Sequence, residues 1–495
     1  MVGEPAFAAI DLGAESGRVV VGRLSAGGLT LDEIHRFPNR PVQLPDGIHW
    51  NLLGLFAEAV EGLTRAARGA QLRSVGVDSW AVDYALLDTR NRVLGLPFHY
   101  RDSRTDGLVE RVHERMPREA IYAITGIQTL PINTIYQLLA EEDNPALVSA
   151  ERIALVPDLL NLWLTGELAN ESTVASTTGL LDARTGSWAR GLIERLGYPQ
   201  KPFSGDPVEP GVTVGSVRPQ HSVIGGIPVY AVAAHDTASA FVATPINSPG
   251  AAILSSGTWS LLGVESDTPL LSSEAAAYNL SNERGVDGTI RLLANVMGLW
   301  LVQECRREWG GLDYGELTEL ATRAPADVPV FDPDDQSLLA PGGMPARIAA
   351  CCGALAQRSP GTRGEIIRSA LTSLACKYRL VLERLERVTG REVGVIHVVG
   401  GGARNALLCQ LAADVTGREV IAGPVEATAM GNLLVQARAA GELGSLADVR
   451  AVAAASAELE TYDPAEDRQL SESIYDRFLT VTGLGDPGAS LPARS

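Results

Sequence analysis

Two stretches far apart in the chain share one pattern: an apolar strand, a turn of small residues containing glycine, and a second strand. The first is Ala6-Phe7-Ala8-Ala9-Ile10-Asp11-Leu12, then Gly13-Ala14-Glu15-Ser16-Gly17, then Arg18-Val19-Val20-Val21. The second is Ala251-Ala252-Ile253-Leu254-Ser255-Ser256, then Gly257-Thr258, then Trp259-Ser260-Leu261-Leu262-Gly263-Val264. A unit that recurs at the head of each half constrains the chain to two halves built on one plan. Around the first hairpin, alternation over 29–37 predicts a third strand of a meander. Helical spacing over 50–67 places Leu52, Leu53, Phe56, Val60 and Leu63 on one side. Residues 74–78 read as a short buried strand with 82–87 as its partner, and helices are expected at 132–142 and 158–165. Residues 201–226, rich in Pro and Gly, read as irregular. Around the second hairpin, long helices are expected at 298–309 and 365–388, followed by a buried strand at 393–399. Meanders followed by helix-flanked buried strands indicate an α/β class with partly antiparallel sheets. The boundary is placed after residue 246, giving domains of residues 1–246 and 247–482 and a tail at 483–495.

Charge narrows the partners. The 495 residues carry 41 Lys+Arg against 59 Asp+Glu, a net of -18, with no basic stripe to drive counterion release from nucleic acid. An anionic substrate meets repulsion unless a metal ion or backbone donors offset it. Lys201 and Lys377 are the only lysines, and neither follows a G-x-x-x-x-G pattern, which argues against P-loop and Schiff-base chemistry. No apolar run reaches the ~20 residues of a membrane span, and the start Met1-Val2-Gly3-Glu4-Pro5 lacks a basic signal region, so a cytoplasmic protein is expected. The 5 cysteines show no C-x-x-C spacing and the 7 histidines no H-E-x-x-H, so they indicate packed thiols and no structural metal site.

Four segments have the residue types for chemistry. Asp11 ends a buried strand, where a carboxylate can hold a divalent cation, and the small residues of the 13–17 turn let backbone N–H groups approach phosphate oxygens. The same segment also reads as an ordinary hairpin with a capping Asp. Gly257-Thr258 supplies a second close-approach turn, so that two turns can grip a polyphosphate with a cation between them. In Tyr230-Ala231-Val232-Ala233-Ala234-His235-Asp236-Thr237 a strand runs into an Ala-rich helix. Asp236 there is either a helix N-cap or a base for an alcohol attacking phosphorus. His235 and Asp236, as strand neighbours, are expected to point oppositely. Val399-Gly400-Gly401-Gly402-Ala403-Arg404-Asn405 offers a surface without side chains, for packing or for a flat ring. Gly483-Leu484-Gly485-Asp486-Pro487-Gly488 matches G-x-G-x-x-G, but no strand precedes it, so it takes no dinucleotide role.

In this order, Asp11-Leu12-Gly13…Ser16-Gly17-Arg18, Ser255-Ser256-Gly257-Thr258-Trp259-Ser260 and Gly400-Gly401-Gly402…Asn405 resemble the FGGY carbohydrate kinases, from the N-terminus to near Ala440. Narrower motifs point to a ketose kinase within that family. They are Asp78-Ser79-Trp80-Ala81-Val82-Asp83, Tyr100-Arg101-Asp102-Ser103-Arg104, Gly126-Ile127-Gln128…Asn133-Thr134…Tyr136-Gln137-Leu138, His235-Asp236-Thr237-Ala238-Ser239-Ala240 and Asn295-Val296-Met297-Gly298-Leu299-Trp300. The resemblance implies two actin-like (ribonuclease-H-like) domains with a catalytic cleft between them. It also implies ATP-dependent phosphorylation of L-rhamnulose at its 1-hydroxyl, with Mg²⁺, and no obligate protein partner. Position by position it implies Asp236 as catalytic base and Asp11 as organiser of Mg²⁺. ATP would meet Ala14, Glu15, Ser16, Gly17, Arg18, Thr258, Gln303, Gly401, Gly402 and Asn405. The sugar would meet Ala81, His235, Asp236, Thr237 and Asn295. Glu15 departs from the family's pattern, since a carboxylate repels phosphate, so its side chain is expected to turn away. Ala81 stands where glycine would be unsurprising. L-Fuculose or D-xylulose as acceptor, and an actin-like ATPase that transfers nothing to a sugar, remain alternatives.

Overall fold

The strand Ala6–Leu12 is buried on both faces, so it can only be a central strand with neighbours on either side. In the computed structural model, which describes residues 4–221, 223–246 and 250–485, it sits third in a six-stranded sheet. The order is Gly28–Pro38, Ser16–Ser25, Ala6–Leu12, Leu72–Ser79, Pro228–Tyr230, Thr213–Ser216. The first three form an antiparallel meander, and Leu72–Ser79 and Pro228–Tyr230 add in parallel. The second hairpin starts an equivalent arrangement. Ala251–Ser256 pairs antiparallel with Trp259–Ser266 on one side and parallel with Val395–Val399 on the other. Glu419–Ala422 then adds in parallel and Glu460–Tyr462 antiparallel, within a sheet of seven strands. In the chain, the 27-residue helix Arg363–Thr389 precedes Val395–Val399, started by a Thr362–Glu365 capping box and stopped by Gly390 in the left-handed conformation.

The chain divides into two compact units. One comprises 1–245, 265–292 and 427–457, the other 246–264, 293–426 and 458–495. The first crossing falls between Pro245 and Ile246, and residues 247–249 lie outside the described residues. Residues 265–292 and 427–457, expected in the second domain, pack with the first unit instead. The tail expected at 483–495 begins with Gly483, the left-handed cap of the helix Gln469–Thr482, and lies outside the described residues beyond Gly485. A helix, not a strand, therefore precedes the G-x-G-x-x-G match. Among the described residues, no helix is long and apolar enough to cross a membrane. Cys305, Cys352, Cys376 and Cys409 are buried free thiols, each pushed up to about 12 by burial.

Two local readings need correction. The first helix runs Leu52–Gly69 behind an Asn51 cap, and it buries Leu52, Leu55, Ala59, Gly62, Leu63 and Ala66. Leu53 is 69% exposed, and Phe56 and Val60 lie at the margin. The phase follows the small residues: a Cβ on Gly62 would stand 2.5 Å from the Val19 side chain, so the helix lies close on the sheet through Ala59, Gly62 and Ala66. The second correction concerns 82–87. Tyr84–Leu87 does not pair with Leu72–Ser79 but forms a separate ribbon with Arg152–Leu155. The cause is a three-residue turn at Ala81–Asp83, where the Asp83 N–H donates to the Ala81 carbonyl at 2.9 Å and Val82 takes φ 67°.

Candidate functional site

Within the first unit, the parallel strands Ala6–Leu12 and Leu72–Ser79 end together, with Asp11 opposite Asp78. The Ser79 N–H donates to the Ala234 carbonyl, so the chain entering His235 joins the same strand ends. Three carboxylates, of Asp11, Asp78 and Asp236, thus share one neighbourhood. Asp78 is fully buried, accepts a 2.5 Å hydrogen bond from Asn432 Nδ2, and leaves its Oδ1 without a hydrogen-bond partner. Burial, and then the charge of Asp11, raise its pKa well above the carboxylate range against the pull of Asn432. Asp11 is held differently: Arg18, its cross-strand neighbour, donates Nε and Nη2 to Oδ2 at 2.8 and 2.7 Å. No group of three or more His, Cys, Asp or Glu side chains among the described residues forms a metal cage. One or two carboxylates completed by phosphate oxygens is what Mg²⁺ ordinarily takes, and Asp11 beside an unpartnered Asp78 Oδ1 fits that need.

The turn after Asp11 owes its shape to Asn39, which no local sequence signal marks. Asn39 donates its N–H to the Glu15 carbonyl at 2.9 Å and its Nδ2 to the Gly13 carbonyl at 3.0 Å, while the Gly13 N–H donates to Ser16 O. With these carbonyl oxygens engaged, Ala14 and the exposed Glu15 form the tip of the turn. Ser16 accepts from Arg36 at 3.3 Å. Gly17 serves packing: a Cβ there would stand 2.3 Å from the Phe37 ring. The structure therefore places Arg18 and Gly17 against protein and leaves Ala14, Glu15 and Ser16 on the turn.

His235 and Asp236 do not point oppositely. His235 is the residue before the helix Asp236–Val242, and the helical turn brings Nε2 to 3.4 Å from Asp236 Oδ1. Asp236 is consequently the first helical residue and not the N-cap. Its Oδ1 also accepts the Thr237 N–H at 2.6 Å and Thr237 Oγ1 at 3.1 Å. Surrounding protein raises the Asp236 pKa, His235 opposes this, Asp11 adds to it, and the Thr237 bonds oppose it. Ala81 opens the turn beside Ser79, which bridges to His235. Val82 keeps its unusual φ because its carbonyl accepts Thr134 Oγ1 at 2.6 Å and Gln137 Nε2 at 3.4 Å. Buried Asp83 closes the turn, with Oδ2 accepting the indole N–H groups of Trp50 at 2.5 Å and Trp80 at 3.0 Å and Oδ1 accepting Gln137 at 2.9 Å. Burial raises its pKa to about 6 despite those donors. Asp83→Asn sets an amide N–H₂ against at least one of them and should cost about 1–3 kcal/mol of stability. Urea unfolding checks this, and an unchanged midpoint would remove Asp83 as the anchor of the turn.

In the second unit, the Gly257–Thr258 turn packs backbone to backbone on the start of the helix Trp300–Glu308. Leu299 N–H donates to Gly257 O at 2.9 Å, and the N–H groups of Gly298 and Trp300 donate to Thr258 O at 3.2 Å. One turn into that helix Gln303 holds a buried Oε1 with no hydrogen-bond partner. The glycine run divides in role. A Cβ on Gly402 would lie 2.0 Å from Ser256 Oγ, so its lack of a side chain serves packing, whereas a Cβ on Gly401 would meet nothing within 4 Å. Asn405 caps the helix Ala406–Thr416, with Oδ1 accepting the Leu408 N–H at 3.0 Å. Asn295 lies on the strand Ile290–Met297, in its second-unit part. An orphaned amide oxygen, open backbone at Gly401 and a hydroxyl at Thr258 fit a nucleotide's mixed donor and acceptor demands. Reading the sequence gave Asp78 no role beyond its motif and did not mark Asn39. Asp78 had a signal, since it ends a buried strand as Asp11 does.

Against known proteins, residues 7–243 match the model for the FGGY family of carbohydrate kinases, N-terminal domain, and residues 252–440 that for its C-terminal domain. The chain is 40% identical over 478 residues to a rhamnulokinase from Bacteroides thetaiotaomicron, covering 95% of this chain and 98% of that one. It is 44% identical over 461 residues to a rhamnulokinase from Pectobacterium atrosepticum, covering 92% of each. The crystal structure of a gluconate kinase from Lactobacillus acidophilus superposes with a TM-score of 0.78 over 97% of both chains at 15% identity, a likeness of fold.

Proposed function

This chain belongs to the FGGY family of carbohydrate kinases, and from that premise we propose that it phosphorylates L-rhamnulose on the 1-hydroxyl, with ATP as donor. The family's N-terminal domain model covers residues 7–243 and its C-terminal domain model residues 252–440, both of them α/β. The observation that carries the acceptor is the full-length likeness to rhamnulokinases.

The reaction forms a bond from the sugar oxygen to the γ-phosphorus and breaks the one from that phosphorus to the bridging oxygen, releasing ADP. Asp236 takes the hydroxyl proton on Oδ2, because Oδ1 already receives Thr237 and faces His235. Ala81, His235, Thr237 and Asn295 orient the sugar. Ala14, Glu15 and Ser16 offer backbone to phosphate oxygens, with Gly17 and Arg18 holding the turn and Asp11. Thr258, Gln303, Gly401 and Asn405 receive the nucleotide, and Gly402 seats the glycine run on Ser256. Asp11 would hold Mg²⁺, which when bound would supply charge neutralisation to the transferring group. In a chain with two lysines and a net charge of -18, that cation and the backbone dipoles do what lysines do elsewhere.

The test is ADP release from Mg-ATP with L-rhamnulose, L-fuculose, D-xylulose, D-ribulose, glycerol or no sugar. Stimulation by L-rhamnulose above the others is expected. A stronger response to another ketose would replace the acceptor and keep the reaction, and turnover indifferent to every sugar would leave an ATPase.

A further inference from the structure

Behind His235 the first unit buries an ion pair that the reaction as described does not use. Arg291, on the strand Ile290–Met297, is fully buried, an expensive place for a guanidinium. Glu283, 3% exposed, balances it: Arg291 Nη2 stands 3.2 Å from Glu283 Oε2. Arg291 Nε donates to the Arg284 carbonyl at 3.0 Å, and its guanidinium lies 5.6 Å from the Phe241 ring centre. Both charged groups then meet one imidazole nitrogen, since His235 Nδ1 is 3.2 Å from Arg291 Nη2 and 3.3 Å from Glu283 Oε2. The other nitrogen, Nε2, faces Asp236 Oδ1.

This geometry restricts where the ring proton can sit. If Nδ1 accepts from Arg291, the single proton of a neutral ring is on Nε2. If Nδ1 donates to Glu283, a lone pair on Nε2 would oppose the Asp236 carboxylate, so a proton is needed there too. In both arrangements the Nε2 proton is on the side of Asp236, whose Oδ1 lies 3.4 Å from Nε2.

We propose that Glu283 and Arg291 are positioning residues that hold His235 with its Nε2 proton on the Asp236 side, so that Oδ1, which already takes both Thr237 donors, is engaged and Oδ2 is the oxygen presented to the acceptor hydroxyl. This rests on Asp236 being the base. Asp11, at the neighbouring strand end, also raises the Asp236 pKa, and His235 opposes it. Glu171, whose Oε2 accepts the Ala234 N–H, adds a third carboxyl group near Arg291. Burial would raise Glu283, but His235 and Arg291 overcome it and hold the carboxyl at about 2, so the pair is charged throughout the working range.

Arg291→Met tests the lock, with kcat followed against pH at saturating sugar and ATP: with the Arg291 donor gone, Nδ1 is left to donate to Glu283 and a neutral ring carries no proton on Nε2. Losing a donor from the Asp236 carboxylate raises its pKa, and a base is lost as pH falls through its pKa, so the acid limb should move to higher pH. The kcat on the plateau should fall about tenfold with KM for ATP unchanged, the size expected of one charge-assisted hydrogen bond. Because Arg291→Met leaves buried Glu283 without its counter-charge, the doubly neutral variant E283Q/R291M is measured alongside; its Nδ1 meets no cation either, so the limb should move in the same direction. A limb that stays in place in either folded variant, whether kcat is normal or uniformly reduced, overturns the lock. Asp236→Asn in the same series separates the two readings: if it turns over normally, the base assignment fails, and if it is inactive while the limbs do not move, only the lock fails.

Discussion

Asp236→Asn should lower kcat at least about 10²-fold while KM for ATP stays within about twofold. Two donors and a facing imidazole decide how the new amide sits. Thr237 presents an N–H at 2.6 Å and a hydroxyl at 3.1 Å to the Oδ1 position, and His235 Nε2 faces the same atom. The amide oxygen must take that place, which turns the N–H₂ to where Oδ2 was. A group that accepts the sugar's proton becomes one that donates, so the loss exceeds that of removing a charge alone. Stability should move the other way. The carboxyl of Asp236 has its pKa raised by surrounding protein and by Asp11, and it adds to the burden on Asp78. Replacing it with a neutral group relieves that repulsion, so the unfolding midpoint should hold or rise. An inactive variant that unfolds earlier would point to damage, and one with kcat within about tenfold of the parent would end the role of Asp236 as base.

The parts of this picture that sequence reveals are those whose cause is local. Asp11 and the 13–17 turn, Gly257-Thr258, and the 400–402 run each announce themselves, because a strand, glycine and the next element, a strand in the first two and a helix in the third, follow within a dozen residues. What a glycine is for is not local. Gly17 and Gly402 read like the rest of their turns, yet Phe37 and Ser256 occupy the space their side chains would need, while Gly401 stays open. The phase of the helix Leu52–Gly69 depends on Val19 and His35 meeting Gly62. Tyr84–Leu87 leaves the central sheet because of one three-residue turn, which alternation cannot show. His235 and Asp236 converge because a helix starts one residue earlier than strand periodicity suggests. Least visible are the long-range supports. Asn432, in the helix Ala427–Ala439, reaches Asp78, and Gln436 reaches Ser74 and the Ala8 carbonyl. These bonds span more than 350 positions, and they fold that helix into the first unit where sequence order alone assigns it to the second.

Gly298→Ala should raise KM for ATP about tenfold or more and cost about 1–3 kcal/mol of stability, the range for forcing a methyl into packed space. A Cβ at this position would stand 2.5 Å from the Trp259 carbonyl carbon, 2.7 Å from Gly257 O and 2.8 Å from Ser260 N. All three are backbone atoms, so no side chain can swing aside. Either the Gly257–Thr258 turn or the first turn of the helix Trp300–Glu308 has to move, and the bonds from Leu299 and Trp300 to Gly257 and Thr258 stretch with it. Both sides of that contact have residues proposed to receive the nucleotide, Thr258 on the turn and Gln303 on the helix, so on that proposal the displacement acts on ATP before it acts on the base. Gly401→Ala is the counterpart. Its Cβ meets nothing within 4 Å, so the unfolding midpoint should not change. A raised KM for ATP there reports a ligand close to the backbone. Should Gly298→Ala bind ATP as the parent does while unfolding earlier, the Gly257–Thr258 turn would be reduced to a packing element and the nucleotide would have to be sought around Gly401 alone.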